Sequence, residues 1–570
     1  MQLHFILLPS SRELRWAIMR YRSNPIKFSM GFLLASISTT TIADGAYDYT
    51  PGAIKFDKFN FQSSSDSKGY VQSIDLDGDG DLDLVITGTT YPSSGGVSRG
   101  GQEGKILFNN GDNSFTEAEG DTPPSDTARE FLVHDFNGDG ILDIYIADHG
   151  YDADPFPGHP DQLLIGTGKG FTDVSARLPQ VAGFSHNGAA GDIDGDGDID
   201  ILSLNSDRVA QELPYLLLND GQANFTMDRS RLPASLVDLS QLKNSYSAEL
   251  SDLDNDGYPD LIIGRNQYTN LTPTRIHWND GQGNFRDSSV TYLDEIDVFS
   301  NLETLTVIEI QGLDVDGDGL NDLLVHAYNA DGFKGTSIQL FINSGSRQFV
   351  NETIKRLGSA AVNPSSSTGV PTVATALDVN GDGIRDLLLQ NSSGTSDDQL
   401  FMFEGTGNGC FEAITMSKLS ADTETRYRLA QTPLVSASEF GYVELTAITS
   451  NGQSKFFANY VPITITARPV IENSFHNCSG KLKFTVKLDS GATYTSDFSL
   501  LSTNPEIIVQ VDVATIKEVF DARAKPGVFN GATGKLAMPE LVVDGQVFMR
   551  NLEFVVVDAE KLQFKLVSYE

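Results

Sequence analysis

Cysteine is almost missing: Cys410 and Cys478 are the pair carried by 570 residues. So few exclude a disulfide-rich scaffold and a cysteine-ligated zinc or iron–sulfur centre. Positive charge is scarce too. Forty Lys and Arg stand against 77 Asp and Glu, a formal net charge of −37. That balance argues against nucleic acid as a partner, because phosphate binding needs a basic surface. Beyond residue 43 no segment approaches the roughly 20 apolar residues needed to cross a bilayer. The apolar segments are short and β-branched, and Gly is frequent at 53, which excludes a long all-helical chain. With 39% hydrophobic and 9% aromatic residues there is still ample material for cores, and the length predicts two or three domains.

Residues 1–43 hold five basic side chains (Arg12, Arg15, Arg20, Arg22, Lys27) and one acidic, Glu13, ahead of a short apolar stretch that ends in small residues at Ala43. This pattern predicts a secretory signal peptide over 1–43 and cleavage before Asp44. The basic region is long; Met19 as the start would give a signal of ordinary length. No Cys stands at the cleavage point, so a lipid anchor is not expected.

What is abundant is one nine-residue pattern, written six times. Its members are Asp75, Asp77, Asp79, Asp81 and Asp83; Asp135, Asn137, Asp139, Ile141 and Asp143; and Asp192, Asp194, Asp196, Asp198 and Asp200. Then come Asp252, Asp254, Asp256, Tyr258 and Asp260; Asp314, Asp316, Asp318, Leu320 and Asp322; and Asp378, Asn380, Asp382, Ile384 and Asp386. First residues are separated by 60, 57, 60, 62 and 64 positions. Side-chain oxygens at positions 1, 3, 5 and 9 with a backbone carbonyl at 7 can wrap a hard cation, and Gly at 6 permits the sharp turn. Calcium suits such a cage better than magnesium or zinc, and about six Ca2+ sites are expected. An EF-hand is excluded. Its bidentate Glu at position 12 is replaced by Ile86, Ile146, Ser203, Ile263, Val325 and Leu389, which lie in apolar runs that read as buried strands.

About 25–30 residues after each cage comes an apolar run, a Gly-containing turn and an aromatic, as in Leu216-Leu-Leu-Asn-Asp-Gly-Gln-Ala-Asn-Phe225: a tight hairpin. Each repeat therefore predicts four strands, A-cage-B-loop-C-turn-D, and four-stranded units at this period predict a β-propeller. The paired cage and hairpin, over residues 68–414, resemble the FG-GAP (VCBS-type) repeats of the integrin α-subunit N-terminal propeller and of many exported bacterial proteins. The resemblance implies a seven-bladed ring with calcium in the A–B loops. Six full repeats are present, so six blades is the alternative; three strands in 425–462, with Ala53–Phe61 as the outer strand, are expected to make the seventh.

After about residue 465 the cages stop. Gly480-Lys-Leu482 with Gly491, Tyr494 and Phe498 is repeated at the same offsets by Gly534-Lys-Leu536 with Gly545, Phe548 and Leu552. This duplication predicts a small β-sandwich-like domain. The expected layout is thus all-β: signal peptide 1–43, propeller 44–464 and C-terminal β domain 465–570. Cys410 and Cys478 either pair across an oxidising compartment or remain free or buried thiols.

A search for catalysis finds little. Gly96-Val-Ser98-Arg-Gly100 fits G-x-S-x-G, but in a Gly/Ser loop and not on a strand-to-helix elbow. Trp278, in a C strand, reads as core. In an antiparallel blade the cages and tight turns share one face, and the long B–C and D–A connections share the other. Binding sites arise on long loops held by rigid scaffolds, so the ligand is expected on the face away from the cages, with His149, Asp154 and His159 as candidates. The expected function is an exported binding or adhesion protein for a glycan or surface protein, located outside the cell, at its surface or in the periplasm. The alternatives are a polysaccharide-active or other hydrolytic or lyase enzyme on the same scaffold, which the resemblance also covers, and an architectural envelope component.

Overall fold

The structure is a computed structural model. It describes residues 47–51, 55–64, 67–90, 102–111, 114–121, 128–150, 158–205, 212–238, 245–266, 272–296, 304–329, 335–363, 371–381, 383–392, 398–407, 409–417, 427–435, 440–450, 453–467, 474–476, 478, 481–502, 506–513, 516–518, 526–543 and 546–570. The expected signal peptide, the G-x-S-x-G stretch, Asp154 and Asp382 lie outside these residues. The chain divides into two compact units, one comprising most of residues 49–465 and one residues 466–570.

The first unit is a β-propeller in which six blades carry the repeat. Blade 1 runs Ser67–Ile74, Asp83–Thr90, Gln102–Asn109 and Phe115–Glu117. Blade 2 runs Ala128–His134, Asp143–Asp148, Gln162–Gly166 and Gly170–Asp173. Blade 3 is Ser185–Gly191, Asp200–Asn205, Tyr215–Asn219 and Phe225–Asp228. Blade 4 is Ala248–Ser251, Asp260–Ile263, Arg275–Asn279 and Phe285–Tyr292. Blade 5 is Leu305–Leu313, Asp322–Asn329, Thr336–Asn343 and Phe349–Asn351. Blade 6 is Pro371–Leu377, Asp386–Ser392, Asp398–Gly407 and Cys410–Ser417. In every blade the four strands pair antiparallel in chain order, so each cage joins strands A and B as the spacing requires.

The strands expected for a seventh blade do pair with one another: Tyr427–Val435, Phe440–Ser450 and Gln453–Ala467, with Lys55–Ser64 outermost against the last. They do not form a separate sheet. Tyr427–Val435 is bonded to blade 6 through Asn391↔Gln431 and Ser392↔Ala430, giving one nine-stranded sheet and a six-bladed arrangement, the second of the two expected counts. Phe440, Tyr442, Val461 and Ile463 of this extension pack on Leu388 and Met402 of blade 6.

The B strands of blades 2, 3 and 4 are buried along their whole length, as their unbroken apolar runs require: Asp143–Asp148, Asp200–Asn205 and Asp260–Ile263 expose no residue. Cores form between blades. Ala189, Leu202, Leu204 and Leu216 of blade 3, for example, meet Ala248, Leu261, Ile263 and Phe285 of blade 4. Trp278 is 4% exposed, as expected of a core residue, and the Arg347 guanidinium covers its ring at 4.5 Å.

The second unit differs from the expected sandwich. Lys481–Lys487 pairs antiparallel with Thr493–Ser502 and parallel with Gly527–Asn530. The order continues through Lys535–Val543, Gln546–Asp558, Gln563–Ser568 and Ile508–Val511 back to Thr493–Ser502, a closed seven-stranded barrel. Closure removes the edges that a sandwich would leave open. Both halves of the sequence duplication are hairpins, with Leu482 opposite Phe498 and Leu536 opposite Phe554. Phe484, Phe498, Phe529, Phe554 and Phe564 fill the interior. Neither cysteine is free: Cys410 and Cys478 are both disulfide-bonded. Among the described residues no helix is long and apolar enough to cross a membrane.

Candidate functional site

Each cage begins as a backbone problem. Positions 4 and 6 take left-handed φ values, +77° at Gly195 and +93° at Gly197, which glycine adopts without strain. In blade 4 position 4 is Asn255, held at +57°, with its amide donating to the Gly319 carbonyl of the next cage at 2.8 Å. The position-1 carboxylate then takes several backbone N–H groups: Asp192 accepts from Gly195, Asp196 and Gly197 at 2.8, 3.1 and 3.0 Å. Asp314 does the same for Gly317, Asp318 and Gly319.

The folded turn brings carboxylate oxygens of positions 1, 3 and 9 within 4.8 Å of one another in four cages: Asp75/Asp77/Asp83, Asp192/Asp194/Asp200, Asp252/Asp254/Asp260 and Asp314/Asp316/Asp322. One oxygen of each position-3 group in blades 3, 4 and 5 is spoken for by an arginine. Arg231 bonds Asp194 at 2.8 Å, Arg347 bonds Asp254 at 2.6 Å and Arg356 bonds Asp316 at 3.0 Å. The other, Oδ1 of Asp194, Asp254 and Asp316, is buried with no hydrogen-bond partner. A buried carboxylate oxygen without a donor needs one, and a hard cation between three carboxylates supplies it. These residues fit an oxygen-ligated metal ion. In the second and sixth cages Asn137 and Asn380 replace the position-3 Asp, keeping an oxygen with one less charge.

Position 9 has a second duty that spacing does not reveal. Asp83, Asp143, Asp260, Asp322 and Asp386 are wholly buried, and Asp200 nearly so. Asp260 accepts from Leu253 N–H inside the cage at 3.2 Å and from Asn279 N–H at the end of strand C at 2.9 Å. The same pair of bonds recurs at Asp83, Asp143, Asp200, Asp322 and Asp386. Burial pushes Asp83, Asp200, Asp260 and Asp322 up to about 7 and Asp143 to about 6, against these N–H donors, with neighbouring carboxylates adding to the rise.

The opposite face holds the histidine candidates. His149 follows the buried strand Asp143–Asp148 and is itself 0% exposed. Its Nδ1–H donates to the Gly150 carbonyl at 3.3 Å, leaving Nε2 to accept from His186 Nε2–H at 3.1 Å. Burial first, and then Arg129, hold both imidazoles well below the ordinary 6.5, so the pair is neutral. His159 is one-third exposed; its Nδ1 donates to the Pro160 carbonyl at 2.9 Å and lies 3.2 Å from Asp148. Two residues after His159, Asp161 is a buried carboxylate that accepts from Tyr145, Ser203, Tyr215 and the Asp148 N–H.

His186 and Tyr246, which spacing did not single out, stack at 4.0 Å and 20° at the loop-side ends of blades 3 and 4. Both stand six residues before their cages, as Arg129 does in blade 2. That shared offset is the signal that could have found them. The structure thus gathers His149, His159, His186, Tyr246 and Arg129 at the long-loop ends of neighbouring blades.

The description FG-GAP-like repeat matches residues 75–146, 135–203, 192–263 and 314–389. No curated protein matches the chain. Among solved structures, the Tc holotoxin pore of Photorhabdus luminescens is similar at 14% identity and TM-score 0.29, over 81% of this chain and 22% of that one. This chain therefore spans about a fifth of the toxin chain's length. A sialidase of Trypanosoma rangeli, solved with the inhibitor DANA, is similar at 11% identity and TM-score 0.33, over 65% of this chain and 60% of that one. The sixty-residue period, the cages in register and the four-stranded blades agree with the repeat matches: residues 75–263 and 314–389 carry FG-GAP-like repeats, consistent with the FG-GAP repeat family.

Proposed function

We propose that this protein is exported, that calcium occupies its six cages as a structural rivet, and that it acts as a binding or adhesion protein for a glycan. The processing and domain limits that go with this reading are cleavage before Asp44, a propeller over 44–464 and a β domain over 465–570. Calcium is supported by the all-oxygen donor set and by the buried free Oδ1 atoms of Asp194, Asp254 and Asp316. Extracellular calcium at millimolar levels would keep such sites filled, which makes them rivets and not switches.

The observation that carries the ligand assignment is the stacked His186–Tyr246 pair, with Arg129 and His159 near it, on the face of long connections. An aromatic face takes the apolar side of a sugar ring, and charged groups around it take the hydroxyls. His149, being buried, supports His186 and does not touch the ligand.

A glycan array probed with the secreted chain, with and without EDTA, tests the reading. Tyr246→Ala and His159→Ala are expected to abolish or weaken retention while the calcium-dependent melt is kept. Retention of a surface protein after complete deglycosylation, with no glycan bound, would sink the glycan assignment.

A further inference from the structure

The arginines on the position-3 carboxylates of blades 3, 4 and 5 come from two different places in the repeat. Arg231 stands six residues after Phe225, in the connection from blade 3 to blade 4, and Arg356 stands seven after Phe349, in the connection that follows blade 5. Both act on the cage of their own blade: Arg231 donates to Asp194 at 2.8 Å and Arg356 to Asp316 at 3.0 Å. Each also reaches the C–D turn of the following blade. Arg231 donates to the Gln282 carbonyl at 3.0 Å and Arg356 to the Gly409 carbonyl at 3.3 Å. Blade 4 has Thr291 at that place, six residues after Phe285, and its cage is served from the other side. Arg347 lies in the C–D turn of blade 5, two residues before Phe349, where the turns of blades 4 and 6 have Gly283 and Gly409. Its Nε and Nη2 both donate to Oδ2 of Asp254, at 2.7 and 2.6 Å. A Cβ at Gly283 would lie 2.6 Å from Nη1 of Arg231, so the guanidinium fills the space beside that glycine. Arginine thus reaches one spot, between a cage and the next blade's turn, by two routes.

Blade 2 shows what the carboxylate adds. Arg177 stands six residues after Phe171 and donates to the Gln222 carbonyl of the next turn at 3.5 Å, as Arg231 does to Gln282. Position 3 of its cage is the neutral Asn137, and Arg177 stays exposed. In blades 3, 4 and 5 the arginine takes Oδ2, while Oδ1 of the same carboxylate is buried with no hydrogen-bond partner. The carboxylates of positions 1, 3 and 9 converge in all three of these cages. The arginines are themselves fixed, Arg231 by Asp228 at 3.4 Å, Arg356 by Glu352 at 2.6 Å and Arg347 by the ring of Trp278. A carboxylate gripped at one oxygen by a fixed guanidinium keeps its other oxygen aimed.

We propose that Arg231, Arg347 and Arg356 are positioning residues for the cage cation: each holds the position-3 carboxylate by Oδ2, from the interface with the next blade, and presents Oδ1 to the ion. The inference rests on calcium occupying the cages, and adds that three of them depend on the following blade for the alignment of a ligand. A guanidinium this close also repels a cation, so charge and alignment predict opposite results when it is removed. Alignment is the effect that wins here, because the carboxylate would otherwise be free to turn both oxygens away from the cage.

The cage of blade 4 can be read by itself. Trp278 is the one tryptophan beyond residue 43, and the guanidinium that covers its ring also holds Asp254. Terbium, a hard stand-in for calcium, is titrated into the secreted chain, detected by light absorbed at Trp278, and then displaced by calcium; the two curves give the calcium affinity of this cage. Arg347→Met and Arg347→Lys are both expected to weaken it at least about tenfold, since lysine keeps the charge and lacks the planar fork. Urea unfolding checks the fold of each variant, and the stability lost should be greater in saturating calcium than in EDTA, whereas a merely structural arginine costs the same in both. Unchanged or tighter calcium binding in Arg347→Met, or wild-type affinity in Arg347→Lys, would overturn the proposal. A wild-type chain that binds neither terbium nor calcium would instead defeat the calcium reading on which the proposal rests, and the proposal with it.

Discussion

Asn343 donates its side-chain amide to the carbonyl of Leu253, 2.6 Å away and 90 residues earlier in the chain. The same amide reaches the Asn321 carbonyl of its own cage at 3.0 Å. Asn343 ends strand C of blade 5, and Leu253 is position 2 of the cage in blade 4, so one side chain fastens two blades. The arrangement repeats at Asn219, which reaches Phe136, and at Asn279, which reaches Ile193. In blades 2 and 6 the place is taken by Gly166 and Gly405, where a Cβ would lie 2.2 Å from the Leu142 carbonyl and 2.3 Å from that of Arg385.

Asn279→Ala is therefore expected to cost about 1–3 kcal/mol, the usual penalty for stranding buried hydrogen-bonding groups. Urea unfolding in saturating calcium measures it. Gly166→Asn should destabilise in the same assay instead of adding a fastening, since the Cβ has nowhere to go; a stabilised Gly166→Asn chain would show that blade 2 can accept the bond.

Calcium removal should be the largest single perturbation. With free calcium about tenfold above a site's dissociation constant, each site adds roughly 1.4 kcal/mol. Six cages would then contribute on the order of 8 kcal/mol, comparable to the whole stability of an ordinary domain. EDTA is expected to lower the melting temperature by tens of degrees, and a melt unchanged in EDTA would show that the cages carry no structural ion.

Positions 5 and 9 of a cage should separate once calcium is gone. Asp256 accepts from Tyr258 N–H on the exposed loop, whereas Asp260 joins Leu253 to Asn279 in the interior. In EDTA, Asp256→Ala should change stability by less than about 1 kcal/mol, and Asp260→Ala should cost about 2–3 kcal/mol. Equal effects in EDTA would mean that position 9 is a metal ligand and nothing more.

Acid should weaken the fold through His149 and His186. Both are held well below the ordinary 6.5 by burial, with Arg129 contributing, so the folded chain prefers them neutral while the unfolded chain protonates them near 6.5. Their stabilisation is present above that pH and is lost as the pH falls below it, with a slope of up to about 1.4 kcal/mol per pH unit for each group. Unfolding free energies measured in saturating calcium between pH 7.5 and 5 should show this slope, flattened in His186→Gln. An identical slope in His186→Gln would place the acid sensitivity elsewhere.

In the barrel, Phe484 is wholly buried among Phe498, Phe554 and Leu536. Phe484→Ala is expected to cost about 3–5 kcal/mol, read from near-ultraviolet circular dichroism and urea unfolding. A smaller loss would mean that the barrel collapses around the gap.

The sequence by itself determined the repeat, the cages and the hairpins, because each is local. Nine residues suffice to converge the oxygens of Asp252, Asp254 and Asp260, and a short turn such as Asn219 to Phe225 closes its own hairpin. Chain order with antiparallel pairing then fixed which face receives the long loops. What tertiary structure decided were the meetings between blades. His149 and His186 are 37 residues apart, and Asn343 and Leu253 are 90 apart. A period near sixty places such positions in equivalent layers, but it does not say which side chain will be buried, which will find a partner and which will be left without one. Closure is of the same kind. Whether Tyr427–Val435 stands alone or bonds to blade 6, and whether Lys481–Lys487 ends a sheet or joins Gly527–Asn530, depends on backbone groups that every residue carries alike. Side-chain patterning marks a strand's buried face, while the neighbour along its edge is chosen only when the whole sheet is assembled.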